Sequence, residues 1–600
     1  MLFTSYGFIG FITAVFIIYY LFPKRYQWCF LLGASYVFYF LASPSYLIFI
    51  GTTTVTVWLL GRRIETLRLR QEAFFKEKKG QLSREEKKAF KSQFKKQQWR
   101  WLLGGLLFNL GILAVLKYTN FAIANFNGFL SMVGSTHQLS YVNLVLPMGI
   151  SFYTFQALGY LIDVYRGTCR AEKNLFRLAL FVSFFPQLVQ GPISRYSDLA
   201  ASLYAPHRFD ARTVSYGLYR ILWGYFKKLV IADRILVAVN AIIQHPETYQ
   251  GGFVLVGMLF YAFELYADFT GGIDITIGIA QTMGITVKEN FIRPYFSKNI
   301  KEYWNRWHIS MGTWFTDYIF YPISVCKPML KLSTFSRKHF GDVIGKRVPV
   351  YLSAFAVWLA TGVWHGASWN FIAWGLTNYV VIMVSQELQP LYRRFHARFH
   401  LKEKAGYGVF EVIRTILLMS CIRMFDCYRN VPLTFRMFAN MFTQFKLSDL
   451  TADAFLGLGL SAADYALLFV SLLVVLSVSL AQEKLEAAAK HSATGNVDAS
   501  AAHSASGSTQ AAAMHSVSGS TETAAKHFAS GSTQAAATYS VSGSAEATAE
   551  SSTVRGVRDW IFAAPAAWKY IIFAALVIAV IVFGAYGIGY DQTQFIYNQF

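Results

Sequence analysis

Two histidines lie in apolar surroundings, where an ionisable side chain is costly. His308 follows the aromatic segment EYWNRW, and His365 interrupts the apolar run VWLATGVWHGASWN. An imidazole inside a membrane segment loses hydration that lipid cannot replace, so such residues usually face a protein interior or a watery cavity. Because its ordinary pKa is about 6.5, a neutral imidazole can accept a proton from a hydroxyl near neutral pH. Both histidines are therefore candidates for acid–base chemistry.

The spacing of neighbouring residues predicts a helix around each histidine. Within residues 286–330, an amphipathic helix is predicted to carry one face made of Trp304, His308, Met311 and Phe315. A second face is predicted to carry Trp358, Thr361, Gly362, His365 and Trp369. Each pattern also has a simpler explanation: an interfacial helix whose histidine is only hydrogen-bonded, and glycines at 362 and 366 that only allow close helix packing.

The composition indicates a membrane protein, because 54% of the residues are hydrophobic, 17% aromatic and only 15% charged. A span needs roughly 20 apolar residues to cross about 30 Å of hydrocarbon, and backbone groups in lipid must bond internally, so the spans are predicted to be helices. The fold class is all-α and polytopic. The candidate spans are 3–22, 28–42, 45–61, 101–120, 143–162, 214–232, 251–267, 349–363, 367–386, 408–427, 463–481 and 567–589.

The positive charge of the chain is concentrated between spans, which is typical of membrane orientation and argues against nucleic-acid binding. The formal net charge is +22, and residues 62–100 carry 14 Lys and Arg against 5 Glu. We expect this basic segment on the cytoplasmic side, as an interfacial helix pair lying on anionic lipid. Its expected role is anchorage.

Neither a resident cofactor nor a bound metal is predicted. The five cysteines have no metal-type spacing, and the sequence contains no P-loop, dinucleotide fingerprint or G-x-S-x-G elbow. Residues 491–550 form five twelve-residue units of small polar residues, such as HSASGSTQAAAM. Because these units have no apolar face to stack, we expect a disordered insertion over 482–560, whose histidines are at most weak metal ligands.

Polar residues interrupt two further apolar segments. In FFPQLVQGPISRY, the prolines and the amides of Gln187 and Gln190 predict a re-entrant segment that is buried in protein or lines a cavity. In YADFTGGIDIT, Asp268 and Asp274 flank a glycine pair and need partners or water at membrane depth.

Four of these segments together resemble the membrane-bound O-acyltransferase family, over roughly residues 1–430. They are LPMGISFYTFQALGYLIDVYRG, FPQLVQGPISRY, ENFIRPYFSKNIKEYWNRWHISMGTWF and GVWHGASWNFIAWG. The resemblance is to the bacterial branch that contains the alginate O-acetyltransferase and the D-alanine transfer protein of teichoic acid modification. Two further C-terminal hydrophobic segments, in 431–481 and 561–600, make the chain more similar to the acetyltransferase type.

The resemblance implies about 11–13 transmembrane or re-entrant helices in a ring around a tunnel, with His365 as the central histidine and His308 as the second. We expect His365 to act as the base and His308 to orient the donor or stabilise charge. Candidates for the substrate tunnel are Asn305, Trp304, Trp307, Trp364, Asn370, Gln187 and Gln190. A basic rim that attracts the phosphates of a donor is predicted from Arg293, Lys298, Lys301 and Arg306, although ordinary positive-inside charge explains it equally well.

The expected function is transfer of an acetyl group from a cytoplasmic thioester, acetyl-CoA, to an extracytoplasmic polysaccharide or cell-wall polymer, directly or through a partner acetyltransferase. The protein is accordingly expected in the cytoplasmic (inner) membrane, as a multi-pass protein among lipids. One alternative is D-alanyl or other acyl transfer from a carrier protein to teichoic acid. Another is a non-enzymatic transporter, but the sequence lacks paired halves with corresponding interruptions.

Overall fold

The computed structural model describes residues 4–401, 404–505 and 565–586, and the elements in these ranges are helices joined by turns and loops. The helices are α1 (Tyr6–Leu21), α2 (Gln27–Ala42), α3 (Tyr46–Glu77), α4 (Arg84–Met132), α5 (Ile150–Arg166), α6 (Leu175–Ser183), α7 (Phe185–Gln190), α8 (Tyr196–Leu203), α9 (Ala211–Tyr225), α10 (Asp233–Gln244), α11 (Gly252–Thr282), α12 (Ile300–Arg306), α13 (Ile309–Phe315), α14 (Tyr321–Ser324), α15 (Lys327–His365), α16 (Trp369–Glu387), α17 (Gln389–Phe399), α18 (Ala405–Tyr428), α19 (Val431–Thr443), α20 (Ala452–Leu456), α21 (Ala462–Ala505) and α22 (Ala566–Phe583). Two π-helical segments follow α9 and α13, at Phe226–Ala232 and Thr316–Phe320.

The predicted all-α, polytopic membrane class is confirmed. Among the described residues, five helices are long and apolar enough to cross a membrane: Tyr46–Glu77, Arg84–Met132, Gly252–Thr282, Lys327–His365 and Ala462–Ala488. Two shorter apolar helices, Tyr6–Leu21 and Ala567–Phe583, correspond to the first and last predicted spans.

The described helices group into two compact units. Of the described residues, the larger contains 4–323, 353–401, 404–461 and 579–586, and the smaller contains 324–352, 462–505 and 565–578. Helix α15 contributes to both, and a non-helical glycine, Gly341 (φ 85°), interrupts it within the smaller unit. Both histidines and all the other candidate site residues belong to the larger unit.

The basic segment 62–100 consists of the adjoining ends of α3 and α4. Phe74 and Phe90 pack with ring centroids 4.9 Å apart, which joins the two helices near the turn between them. A capping box starts α4: Ser83 Oγ accepts from Glu86 N–H, and the Glu86 carboxylate accepts from Ser83 N–H. The expected helix pair is therefore present, but each helix continues a membrane-spanning one instead of forming a separate interfacial element.

Buried ion pairs join the π-helical segment after α9 to α11. Lys228 Nζ lies 2.5 Å from an oxygen of Asp268 and 2.7 Å from one of Asp233. Asp274 accepts from Arg220 at 2.8 Å and from Lys227 at 2.6 Å. Because an ionised group is costly away from water, these pairs meet the need for partners that the sequence predicted for both aspartates.

The low-complexity region begins differently from the sequence expectation. Helix α21 continues without a break to Ala505, so residues 482–505, including the first repeat, extend a membrane helix. Good helix formers such as Ala, Glu, Lys and Gln dominate AQEKLEAAAK at this point, which favours continuation of the helix. The remaining repeats, 506–550, lie outside the described residues, and their disorder stays a prediction.

Candidate active site

His308 lies at a break between two short helices, so the predicted continuous helical face is wrong. It is the residue between Trp307 and the start of α13, it has a left-handed backbone conformation (φ 47°), and it is 1% exposed. Trp304 belongs to α12, whereas Met311 and Phe315 belong to α13. A left-handed conformation is unfavourable for a residue other than glycine, so the surrounding structure must hold the break in place.

Asn290, in the loop after α11, supports this break. Its carbonyl oxygen accepts from Ile309 N–H at 3.0 Å, and its side-chain Oδ1 accepts from Ser310 N–H at 2.9 Å. The amide orientation is thereby fixed, and Nδ2 faces His308 Nδ1 at 3.3 Å. Since an amide nitrogen only donates, we assign Nδ1 of a neutral His308 as the acceptor and the ring proton to Nε2. His308 is thus arranged as a hydrogen-bond donor.

His365 is the last residue of α15, not a residue within a helix. The predicted face is therefore also wrong at its end, because Gly366–Ser368 separate α15 from α16 and Trp369 starts the new helix. Trp369 is 59% exposed, and its indole donates to Asn125 of α4 at 2.7 Å. The ring of His365 instead lies 4.7 Å from that of Trp374.

The glycines beside His365 serve close packing. A side chain at Gly362 would place its Cβ 2.6 Å from the carbonyl oxygen of Phe371, and one at Gly366 would meet the Phe371 ring at 2.2 Å. Gly375 of α16 similarly lies against Trp358 of α15. The space that these glycines leave is filled by α16, so the packing explanation of this motif is the correct one.

One indole ring joins the two histidines. The ring of Trp364 lies 6.1 Å from that of His308 and 5.0 Å from that of His365, measured between centroids. Phe152 and Phe155 of α5 contact the same indole at 5.5 and 5.7 Å. The sequence separates the histidines by more than 50 residues, yet the fold places both against Trp364 in one aromatic cluster.

Contacts along α5 show how far this cluster lies from the basic segment 62–100. Trp364 packs at Phe155, whereas Lys95 and Trp99 of the basic segment contact Tyr165 at the other end of α5. Ten helical residues separate the two levels, which is about 15 Å at 1.5 Å per residue. The histidines therefore lie well inside the protein, away from the basic segment 62–100.

The chain reaches His308 through α12 and leaves it through α13. The carbonyl of Lys298, before α12, accepts from Arg414 of α18, whereas Trp307 contacts Arg423 further along the same helix. After His308, Trp314 donates to the carbonyl of Phe155, and α13 then continues toward the charged end of α5. Irregular backbone at membrane depth is tolerated when it is buried in protein, as this turn is.

The other predicted tunnel residues divide into two groups. Trp304, Trp307 and Trp364 belong to the aromatic cluster: Trp304 lies 5.8 Å from Trp374, and Trp307 lies 6.0 Å from Phe269, which itself contacts His308 at 4.9 Å.

Two of the four predicted amides fix loops instead. Asn370 accepts from Ser368 and donates to the carbonyl of Phe425, and Gln187 donates to Ser194. Asn305 is exposed, and Gln190 is fully buried against Gly272 of α11.

The predicted basic rim is partly neutralised. Arg306 forms a 2.8 Å ion pair with Glu302, and the same carboxylate accepts from the backbone N–H of Lys298. Lys301 also belongs to α12, and Arg293, in a left-handed conformation, precedes it. That these four cations form one rim stays a prediction, and the Glu302 carboxylate, which sequence reasoning left out, lowers the net positive charge beside Arg306.

Sequence reasoning missed Arg423, in α18. Its guanidinium lies 4.3 Å from the centroid of the Trp307 ring, donates to Tyr303 at 3.2 Å, and is 3.6 Å from Asp426. Arg423 is 4% exposed. An arginine inside the predicted span 408–427 was the available signal, because intramembrane ionisable residues are rare and usually functional. Arg423 adds a fixed positive charge beside Trp307, the residue that precedes His308.

Comparison with known proteins gives one consistent picture. The family model for the membrane-bound O-acyltransferase family matches residues 170–337 and 339–427. A probable alginate O-acetylase of Azotobacter vinelandii is 31% identical over 456 residues, which cover 75% of this chain and 80% of that protein.

Two further relatives match over shorter lengths. A probable alginate O-acetylase of Pseudomonas syringae pv. tomato is 34% identical over 62% of this chain, and a peptidoglycan O-acetyltransferase of Helicobacter pylori is 33% identical over 49%. The match spans 64% of the Pseudomonas protein and 57% of the Helicobacter protein.

Proposed function

Because the chain belongs to the membrane-bound O-acyltransferase family, we propose that it transfers an acetyl group from a cytoplasmic thioester to an extracytoplasmic hydroxyl. The donor is acetyl-CoA, and the acceptor is a polysaccharide or cell-wall polymer that is acetylated directly or through a partner transferase. The observation that carries the proposal is the pair of histidines, His308 and His365, on the single indole of Trp364. The names of the relatives, O-acetylases of alginate and of peptidoglycan, support acetyl as the acyl group and a polymer as the acceptor.

The two histidines have different tasks in the proposed reaction. His365 takes the proton of the acceptor hydroxyl as its oxygen attacks the thioester carbonyl carbon. His308, with its proton on Nε2, donates to the carbonyl oxygen as negative charge develops there. Collapse of the tetrahedral intermediate breaks the carbon–sulfur bond, and the proton held by His365 passes to the departing thiolate. The products are an ester and a free thiol.

The site also restricts where this reaction can take place. A general base contributes about 10² to 10⁴ in rate, so alignment of the reactants and stabilisation of charge must provide the remainder. The buried cluster around Trp364 keeps bulk water from the thioester, and Arg423 adds positive charge. The cations before His308 and the basic segment 62–100 give the donor's phosphates an attractive approach.

The direct test is transfer by the purified protein in lipid nanodiscs. Radiolabelled acetyl-CoA and an oligosaccharide acceptor are supplied, and ester formation and thiol release are measured together. His365→Ala is expected to lower both about 10² to 10⁴-fold at unchanged monodispersity. His137→Ala, which removes an exposed histidine from the loop after α4, is the matched control and should retain full activity.

Three results would contradict the proposal. Retained activity of His365→Ala would remove this residue from the chemistry. Transfer from an acyl carrier protein but not from acetyl-CoA would identify the alternative donor. Uptake of a solute into proteoliposomes without any thiol release would indicate a transporter.

A further inference from the structure

The C-terminal end of α15 lies inside the protein, where its last backbone carbonyls need hydrogen-bond partners. Four carbonyls at a helix end have no partner within the helix. Here the carbonyl of Gly362 accepts weakly from Gly366 N–H at 3.4 Å. The other three, at residues 363–365, are reached by side chains from α4.

Two adjacent residues of α4 supply these bonds. Tyr118 donates its hydroxyl to the carbonyl of Val363 at 2.6 Å. Lys117 Nζ lies 2.6 Å from the carbonyl oxygen of Trp364 and 3.5 Å from that of His365. The helix end that carries the candidate base is therefore held by residues almost 250 positions earlier in the chain.

The charge of Lys117 suits this position. The C-terminal end of a helix carries a partial negative charge of about half an elementary charge, which a cation stabilises. A lysine near the end of a span ordinarily extends its ammonium group toward the lipid headgroups. Lys117 is only partly exposed, and its ammonium group bonds to backbone oxygens of α15.

We propose that Lys117 is the positioning residue for His365. It holds the carbonyls of Trp364 and His365, which belong to the two peptide groups on either side of the His365 Cα, and thereby sets the direction in which the imidazole leaves the helix end. Tyr118 supports the same end one residue earlier. Lys117 touches no reacting atom in this arrangement; it acts through His365, so the inference rests on the proposed function.

The expected effect is on turnover, not on donor binding. A misplacement of about 1 Å from a change outside the reacting groups can cost about 10² in rate. Lys117→Met keeps a long unbranched side chain, one atom shorter, but removes both hydrogen bonds and the charge. It is expected to lower kcat about 10²-fold while KM for acetyl-CoA stays unchanged. Lys117→Arg retains a cationic donor and should restore part of the loss, and Tyr118→Phe should give a smaller decrease.

The test combines the transfer assay in nanodiscs with hydrogen exchange of the peptide that contains residues 358–366. Amides there are expected to exchange faster in Lys117→Met and Tyr118→Phe, whereas the peptide around His308 keeps its wild-type rate. Lys331→Met is the matched control, because Lys331 is exposed and lies at the far end of α15. It should change neither measurement.

Unchanged kcat, or unchanged exchange at residues 358–366, would overturn the inference. A rise in KM that accompanies the fall in kcat, together with an equal loss of kcat in Lys117→Arg, would also overturn it. That pattern indicates a general structural role of Lys117. If Lys117→Met does not fold, Tyr118→Phe and Lys117→Arg decide by the same two measurements. If the wild-type protein transfers no acetyl group, the proposed function fails, and hydrogen exchange alone decides whether Lys117 holds the helix end.

Discussion

The most informative single change is Asn290→Asp, because it tests the assigned proton of His308. The new carboxylate keeps an oxygen for Ser310 N–H, which Asn290 Oδ1 now accepts at 2.9 Å. Its second oxygen takes the place of Nδ2, which faces His308 Nδ1 at 3.3 Å. Because a carboxylate only accepts, a ring that stays neutral carries its proton on Nδ1, and Nε2 changes from donor to acceptor.

The magnitude follows from what Nε2 does in the proposed reaction. Removal of one hydrogen-bond donor from a developing oxyanion costs about 10² to 10³ in kcat. Asn290→Asp is therefore expected to lower kcat by that factor while KM for acetyl-CoA and the melting temperature change little. Asn290→Ala removes both side-chain hydrogen bonds, at about 1 kcal/mol each. It should lower stability by about 2 kcal/mol and also release the left-handed turn at His308.

The assay is initial-rate acetyl transfer at saturating acceptor, with thermal unfolding of each variant measured in parallel. Asn120→Asp is a matched control, because Asn120 also accepts a backbone N–H with Oδ1 and donates with Nδ2, but to Val142 at the surface. Full kcat in Asn290→Asp would refute the assigned proton position and, with it, the donor role of His308. An equal loss in Asn120→Asp would show that the effect is not specific to the site.

Three other changes probe the scaffold. Asp268→Asn should destabilise the protein by about 3–5 kcal/mol because it leaves the buried cation of Lys228 with a weaker set of partners, and the double change with Lys228→Met should not recover the melting temperature, because Asp233 then loses its cation as well. Gly362→Val should separate α15 from α16 and lower both the melting temperature and acetyl transfer, whereas Gly111→Ala, at a position with nothing within 4 Å of the added atom, should be neutral. Deletion of residues 506–550 should leave expression, monodispersity and acetyl transfer nearly unchanged, and a large loss of any of them would contradict the expected disorder of this tract.

Membrane class and most spans could be predicted from the sequence, because each depends on a local run of apolar residues. Helix α11 (Gly252–Thr282) and helix α18 (Ala405–Tyr428) contain the spans predicted at 251–267 and 408–427 almost entirely. Partners for Asp268 and Asp274 could also be expected, since a charge at membrane depth needs compensation whatever the topology. The identity of those partners, lysines and an arginine on α9 and the segment after it, depends on how the helices pack.

The local geometry of the two histidines could not be predicted from periodicity. Helical spacing assumes that each N–H bonds to the carbonyl four residues back. The N–H groups after His308 instead bond to Asn290, which lies 18 residues before His308, and periodicity contains no signal for such a partner. Likewise, α15 can end at His365 because side chains from α4 satisfy its carbonyls. Both breaks leave backbone groups that only distant residues can satisfy.

A physical rule for such sites follows from these two breaks. In a membrane protein, a histidine at a buried helix end is stable only if other segments supply the missing hydrogen bonds. Those supplying residues are polar or charged side chains within otherwise apolar helices, as Lys117 is in α4. A lone cation in a predicted span should therefore be considered a partner of a distant helix end before it is considered a lipid anchor. Arg423 supports the other break through side chains instead: its guanidinium donates to the Tyr303 hydroxyl of α12 and lies on the ring of Trp307, directly before His308.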